Sequence, residues 1–382
     1  MRARGHRVVR QAEETVTVGF YSPLPPARTG VADYSAALLA ALRRHGPVEV
    51  SPASCDVALY HLGNNALHAA IYRRALERPG VVVLHDAVLH HFFLGQLTEA
   101  EYIEEFVYNY GEWSRGLARA LWTARASSGS DRRYFDHPML RRIAERSRAV
   151  VVHNPAAAGV VRKHAPDARV VEIPHLFVPP PDPPGVADAL RYRQQLGVEP
   201  GTLLFGVFGY LRESKRLAAV MDAFATLHRE DPKTALLIAG DFVSSDLQRA
   251  VESQLAMPGL LRKPHMTEGE FWLAASAIDV CINLRYPAAG ETSGIAVRMM
   301  GLGKPVMVTE SEEESRIPED ACIRVAAGVA EGESLLAYLR LLAGMRAVGP
   351  AVGERAAAYV REHHAVERVA EQYWELLSEP RP

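Results

Sequence analysis

Three clusters in this chain combine residue types and spacing that could do chemistry at the edge of a parallel sheet. The first is Glu291-Thr-Ser-Gly-Ile295, which follows an apolar run over 279–284 and a Pro/Gly loop and opens an apolar segment ending at Gly303. A second strand is expected over 305–309, so the unit reads strand, polar loop, helix, strand. The loop leaving the first strand would sit at the carboxyl edge of the sheet, where α/β folds place ligands. Free N–H groups around Thr292, Ser293, Gly294 and Ile295 favour an anion there, while the Glu291 carboxylate accepts hydrogen bonds from hydroxyls. A ligand carrying both phosphate and hydroxyls suits that pairing.

The second cluster is Gly209-Tyr-Leu-Arg-Glu-Ser-Lys-Arg216, between a strand over 203–208 and a helix over 217–228. Arg212, Lys215 and Arg216 at a helix start oppose the helix dipole unless an anion lies between them. The third is His85-Asp86, on which the buried strand expected over 81–86 ends. Such a pair is delivered to the mouth of the sheet; the competing reading is a helix cap for Asp86 and a satisfied half-buried ring for His85. Gly30, before a helix over 31–44, allows backbone to approach a phosphate or serves a turn. Asn64 ends the strand region 57–60, where it could meet acceptor hydroxyls or form a turn. Arg285 points toward the same cleft.

These clusters need a frame, and alternating β and α signals supply one: an α/β fold of two Rossmann-like units. The expected layout is a flexible tail over 1–14, a first Rossmann-like domain over 15–178 with a strand-free helical insertion over 91–147, and a Pro-rich hinge over 179–186. A second Rossmann-like domain over 187–363 and a last helix over 364–382 complete it. At 382 residues, 48% hydrophobic and 23% charged, the chain is long enough for two cores.

A formal net charge of −2 gives no bulk attraction to nucleic acid. Cys55, Cys281 and Cys322 are an odd set far apart, read as small buried hydrophobes in a reducing, cytoplasmic setting. No apolar stretch is long enough to span a bilayer, and the Arg-bearing tail has no signal-peptide core. That tail reads as a solvated end, or as a peripheral handle on anionic lipid. His90 and His91 follow His85 and Asp86 without the spacing of a metal site, so no metal is expected.

Glu291-Thr-Ser-Gly-Ile295, the helix after it and Gly303-Lys-Pro-Val306 resemble the donor segment of the retaining GT-B glycosyltransferases of the glycogen synthase and mannosyltransferase type, family four or group 1. The resemblance covers almost the whole chain after residue 15. It implies two Rossmann-like domains facing across a cleft, 15–178 the acceptor domain and 187–363 the nucleotide-sugar domain, with a final helix crossing back onto the first. Lys215, Glu291 and His85 are then the catalytic candidates: Lys215 at the leaving diphosphate, Glu291 on sugar hydroxyls, His85 touching the sugar from the other domain. Gly30, Gly209, Arg212, Arg216, Arg285, Thr292, Ser293, Gly294 and Ile295 fall to the donor, His265 lies in the loop that cups the base, and Asp86 and Asn64 face the acceptor. Two positions depart from the family pattern: Arg298 stands where a second Glu holds the ribose, and Tyr210 where an Arg follows the glycine, so that Arg212 or Arg216 supplies the missing cation.

The activity so implied is metal-independent transfer, with retention, from a UDP- or GDP-sugar to a hydroxyl on a sugar, lipid-linked or polysaccharide acceptor. The nucleotide sugar is a substrate and no cofactor is expected. Two other classes stay open, a GT-B nucleotide-sugar 2-epimerase and a donor-binding protein without catalysis.

Overall fold

The structure, a computed structural model, describes residues 16–380 apart from 28 and 130; the tail expected over 1–14 lies outside the described residues. Strands β1 (Val18–Tyr21), β2 (Val48–Val50), β3 (Val57–Leu62), β4 (Val81–Leu84), β5 (Ala149–Val152) and β6 (Val170–Glu172) pair in the order β2-β1-β3-β4-β5-β6. A second sheet holds β7 (Leu203–Phe208), β8 (Thr234–Ala239), β9 (Leu260–Lys263), β10 (Val280–Asn283), β11 (Val306–Thr309) and β12 (Ile323–Val325), ordered β12-β11-β10-β7-β8-β9. Every pairing is parallel. Most of these strands are short, β-branched and buried throughout, as strands covered by helices on both faces must be.

Counted from β7, the second sheet has the doubly wound order 3-2-1-4-5-6, so chain direction switches between β7 and β10. The loops after those two strands carry the Gly209 and Glu291 clusters. In the first sheet the switch falls between β1 and β3, beside the Gly30 loop.

In the first half, helices α1 (Gly30–Leu42), α2 (Ala69–Glu77) and α8 (Pro155–His164) flank the sheet. The insertion between β4 and β5 is helical, as expected, but in pieces: α3 (His90–Gln96), α4 (Glu99–Tyr110), α5 (Arg115–Thr123), α6 (Arg132–Phe135) and α7 (Arg141–Arg146). The single helix expected over 99–126 breaks at Gly111, whose φ of +88° ends α4. Pro138 delays α7 because it offers no N–H and disfavours helix in the residue before it. Asp86 does not cap the helix after it; Leu89 occupies that position.

The second half holds α9 (Val186–Gln195), unexpected from the proline-rich approach, then α10 (Leu217–Glu230), α11 (Ser245–Val251), α12 (Glu268–Ala277), α13 (Gly294–Gly301), α14 (Glu331–Gly344) and α15 (Val348–His363). The edge strand β12 was also not expected. The last helix, α16 (Val366–Ser378), returns to the first half: Val369, Ala370, Tyr373, Leu376 and Leu377 are buried in the same core as Leu38, Leu39 and Leu42 of α1. Each such large apolar side chain contributes roughly 1.5–3 kcal/mol.

The chain crosses between halves twice, and the two crossings are stitched together. Phe177 N–H donates to the His364 carbonyl at 2.6 Å, and His364 Nδ1 donates back to the His175 carbonyl at 2.5 Å. Among the described residues no single helix is long and apolar enough to cross a membrane. Cys281 and Cys322 are buried as expected, Cys55 is only half-buried, and all three thiols are free.

Candidate functional site

The site assembles where the switch point of the second sheet faces the carboxyl edge of the first. Gly209 leaves β7 at φ +86°, and a Cβ on Gly240 would lie 2.1 Å from the Gly209 carbonyl, so the β7 and β8 loops approach as only glycine permits. Lys215 then turns back under its own loop: it is 7% exposed and its Nζ donates to the Phe208 carbonyl at 2.8 Å. Burial and the Arg285 guanidinium, with Arg212, pull its ammonium down to about 7, against Cys281 and Glu291. Lys215, Arg212, Arg285 and Glu291 thus share one field, as the sequence reading required. Ile295 of α13 closes the group, 3.4 Å from where a Cβ on Gly209 would be.

The loop between β10 and α13 is folded by its own charges. Arg285 pairs through Nη1 with Glu291 Oε1 and donates from Nη2 to the Ser293 hydroxyl at 3.2 Å, while Glu291 Oε2 accepts Ala289 N–H at 2.7 Å. Ser293 caps α13 by accepting Ala296 N–H at 3.2 Å. The loop also docks on the first half. Ala87 N–H donates to the Ala289 carbonyl at 2.8 Å, and Asn154 Nδ2 donates to the Gly290 carbonyl at 2.9 Å and the Thr292 hydroxyl at 3.0 Å. Gly290, at φ +72°, has no room for a side chain, since a Cβ would come within 2.6 Å of Ala87.

From the first half, Asp86 faces this loop half-buried. Burial and Glu291 push its carboxyl up to about 6, opposed by Asn64 N–H, Arg212 and Arg285. It therefore lies within electrostatic reach of Glu291 and Arg212, on the side the sequence assigned to the acceptor. His85 is half-buried with Nε2 hydrogen-bonded to His61 Nδ1 at 3.0 Å. Burial and the rings of His153, His61, His175 and His68 hold its pKa well below the ordinary value, so the ring is neutral. Gly30 begins α1, which Thr29 caps, and space beyond it is open. Asp33 in that first turn feels Glu268 and Arg298, which places the start of α1 opposite α12 and α13.

Three assignments change. Arg216 is not available as a cation for a ligand: its Nε is bound to both oxygens of buried Glu331, at 2.8 and 3.1 Å. Arg212 is exposed beside Asp86, His91 and Lys215, so of the two candidates it is the one that faces the cleft. Asn64 is occupied inside the first half, its Oδ1 accepting Phe92 N–H at 2.7 Å and its Nδ2 reaching His91 Nδ1 at 3.3 Å. Arg298 does not reproduce a ribose carboxylate; it stacks on Phe271 and Trp272, 3.8 and 4.2 Å from the ring centres, and pairs with Glu268. His265 lies exposed just past β9, 3.6 Å from Asp241, whose carbonyl accepts Leu211 N–H at 2.8 Å in the Gly209 loop.

Sequence reasoning singled out His85 but passed over the residues around it. His61, His85, His153 and His175 lie in or just past β3, β4, β5 and β6, which are neighbours in the sheet, and Tyr34 packs against all four rings at 4.8–6.0 Å. His153-Asn154 repeats the signal that drew attention to His85-Asp86, an apolar run ending on a polar pair. Glu314, 8% exposed, is raised to about 7 by burial, against the pull of Arg285. No local pattern marks it.

No protein-family model and no curated protein matches this chain. Solved structures do. Anabaena Alr3699/HepE, in complex with UDP and glucose, superposes with a TM-score of 0.64 at 14% identity over 95% of this chain and 99% of that one. Sucrose-phosphate synthase from Thermosynechococcus elongatus gives 0.64 at 16% identity over 94% and 98%. WaaG, a glycosyltransferase involved in lipopolysaccharide biosynthesis, gives 0.62 at 14% over 95% and 100%. At such identities the likeness is one of fold: this chain has the GT-B architecture, two parallel Rossmann-like sheets spanned by a returning C-terminal helix.

Proposed function

We propose that the chain transfers a sugar from a nucleoside-diphosphate sugar, UDP- or GDP-linked, to a hydroxyl acceptor. The observation that carries this reading is the convergence of the Lys215 ammonium and the Glu291 carboxylate on one cleft, at the switch point and beside the start of α13. Cations beside a glycine loop suit the departing diphosphate, and a carboxylate next to free helix N–H groups suits sugar hydroxyls. One structural neighbour, HepE, was captured both with UDP and with UDP-glucose, which favours UDP as the first donor to try.

In this reading Lys215 and Arg212 stabilise the diphosphate as the glycosidic bond breaks, so that the leaving group needs no metal ion. Arg285 orients Glu291 toward the sugar, and neutral His85 meets it from the first half. Asp86 faces the acceptor hydroxyl. Transfer proceeds with retention by front-face attack, the leaving phosphate taking the acceptor proton, and no side chain acts as nucleophile. The acceptor is a sugar, lipid-linked or polysaccharide hydroxyl in glycan assembly on the cytoplasmic side of a membrane.

The test is multiple-turnover release of nucleoside diphosphate with the sugar recovered on an acceptor. Lys215→Ala and Glu291→Ala should each lower turnover by about a hundredfold or more while remaining folded. Full activity in either variant refutes the assignment. A free epimer formed without acceptor would instead select the epimerase reading.

A further inference from the structure

Among the described residues, the His175 ring has a lone pair without a hydrogen-bond partner. Its Nδ1 donates to the Leu176 carbonyl at 2.8 Å, which leaves Nε2 as the acceptor of a neutral ring. Burial, with His153 beside it, keeps that ring unprotonated, its pKa lowered to about 3. The Nε2–Cε1 edge lies 3.4 Å from where a Cβ on Gly294 would sit, directly over the first residue of α13. Helix geometry leaves the first N–H groups of α13 without intrahelical partners, and the Ser293 hydroxyl serves Ala296. The N–H groups of Gly294 and Ile295 are left for a ligand.

A donor N–H and an acceptor lone pair side by side select a particular chemistry. A hydroxyl gives one hydrogen bond and takes another, so it satisfies both. An ionised phosphate or carboxylate oxygen has no proton for the lone pair and would meet it acceptor to acceptor. We infer that His175 Nε2 accepts a hydrogen bond from a hydroxyl of the donor sugar whose oxygen takes an N–H of α13. This helix start then reads the sugar and leaves the diphosphate to Lys215 and Arg212. The inference rests on the sugar-donor reading above and adds to it the atom that distinguishes sugar from phosphate.

The ring is well held for that task. Tyr34 meets it edge-on at 4.8 Å and His153 packs at 5.6 Å. Its backbone carbonyl is fixed by His364, whose own carbonyl receives Phe177 N–H. The strap that joins the two chain crossings therefore sets the position of the sugar-reading nitrogen.

Calorimetry with UDP, GDP, UDP-glucose, GDP-mannose and monodeoxy forms of whichever sugar donor binds provides the test. His175→Phe keeps the aromatic edge against Tyr34 and removes the lone pair; His175→Gln supplies an amide oxygen as a substitute acceptor. His175→Phe should bind the free nucleotide like the wild type and the nucleotide sugar about tenfold more weakly, the order expected for one hydrogen bond. One monodeoxy donor should lose a similar factor against the wild type and nothing further against His175→Phe, with partial recovery in His175→Gln. Undiminished sugar binding by His175→Phe, or an equal loss for nucleotide and nucleotide sugar, overturns the inference and leaves the functional reading standing. If the wild type binds none of these compounds, the functional reading falls and the inference falls with it.

Discussion

The Asn154 side chain ties the two halves of the molecule at the site itself. Its Nδ2 reaches the Gly290 carbonyl and the Thr292 hydroxyl, while its Oδ1 caps α8 by accepting Ala157 N–H at 2.8 Å. One amide thus holds a helix start on one side and the sugar-facing loop on the other. The two roles can be separated by mutation. Asn154→Ala should cost about 1–2 kcal/mol for the cap and about 1 kcal/mol more for the lost loop contacts. Asn154→Ser restores a capping oxygen but is too short to reach Gly290. It should recover most of the stability in chemical denaturation yet keep the several-fold higher donor KM of the alanine variant; equal donor KM in Ser and wild type would show that the loop contact is immaterial.

Arg212 and Arg216, four residues apart, should behave as a site residue and a structural one. Removing Arg216 strands the Glu331 carboxylate, which is 2% exposed, and should cost on the order of 2 kcal/mol of stability. Arg212→Ala should change stability by no more than about 0.5 kcal/mol while lowering turnover by about a hundredfold. Paired melting curves and rates check this, and the opposite pattern would reverse the two assignments.

Lys215 gives the reaction an upper pH limit. Its ammonium is charged below a pKa of about 7 and loses its proton above it, so kcat/KM, which reports the free enzyme, should be high below neutrality and decline above about 7. In Lys215→Arg the charge persists, so whatever activity survives should lack that alkaline decline. A wild-type profile flat to pH 9 would remove Lys215 from the role.

The buried histidines make stability fall in acid. His153 is held neutral, its pKa lowered to about 4 by burial, whereas the unfolded ring titrates near 6.5. Above about 6.5 both states are neutral and nothing is lost. Between there and about 4 the unfolded chain binds the extra proton, and the native state loses on the order of 3 kcal/mol from this group. Glu314 and Asp86, raised to about 7 and about 6, oppose the trend by gaining protons in the native state first. The cleaner readout is therefore a difference: the stability of His153→Gln should fall less steeply than that of the wild type from pH 6.5 to 4. Parallel curves would mean that His153 is not buried neutral.

Features encoded locally were legible in the sequence. The apolar strand runs, the glycine after β7, the helix opening after Glu291 and the amphipathic α16 all follow from short-range spacing, and with them came the two sheets; the pairing of Lys215 with Glu291 rested on the family resemblance. What depends on sheet order was not. The row formed by His61, His85, His153 and His175 appears only when β3 to β6 are laid side by side, because their spacing along the chain is irregular. Arg216 was misread because its partner Glu331 lies on a remote helix start. Asn64 looked like a free turn residue because the helix start it serves, at Phe92, lies beyond a strand and a helix.

The central claim is that Lys215 and Glu291 grip opposite ends of one activated sugar. A crystal structure of the chain with an intact UDP- or GDP-sugar tests it most directly. The expected result is a single donor molecule with a diphosphate oxygen within about 3 Å of Lys215 Nζ and a sugar hydroxyl at the same reach of the Glu291 carboxylate. A donor bound with its diphosphate away from Lys215, or with its sugar turned from Glu291, would contradict the account.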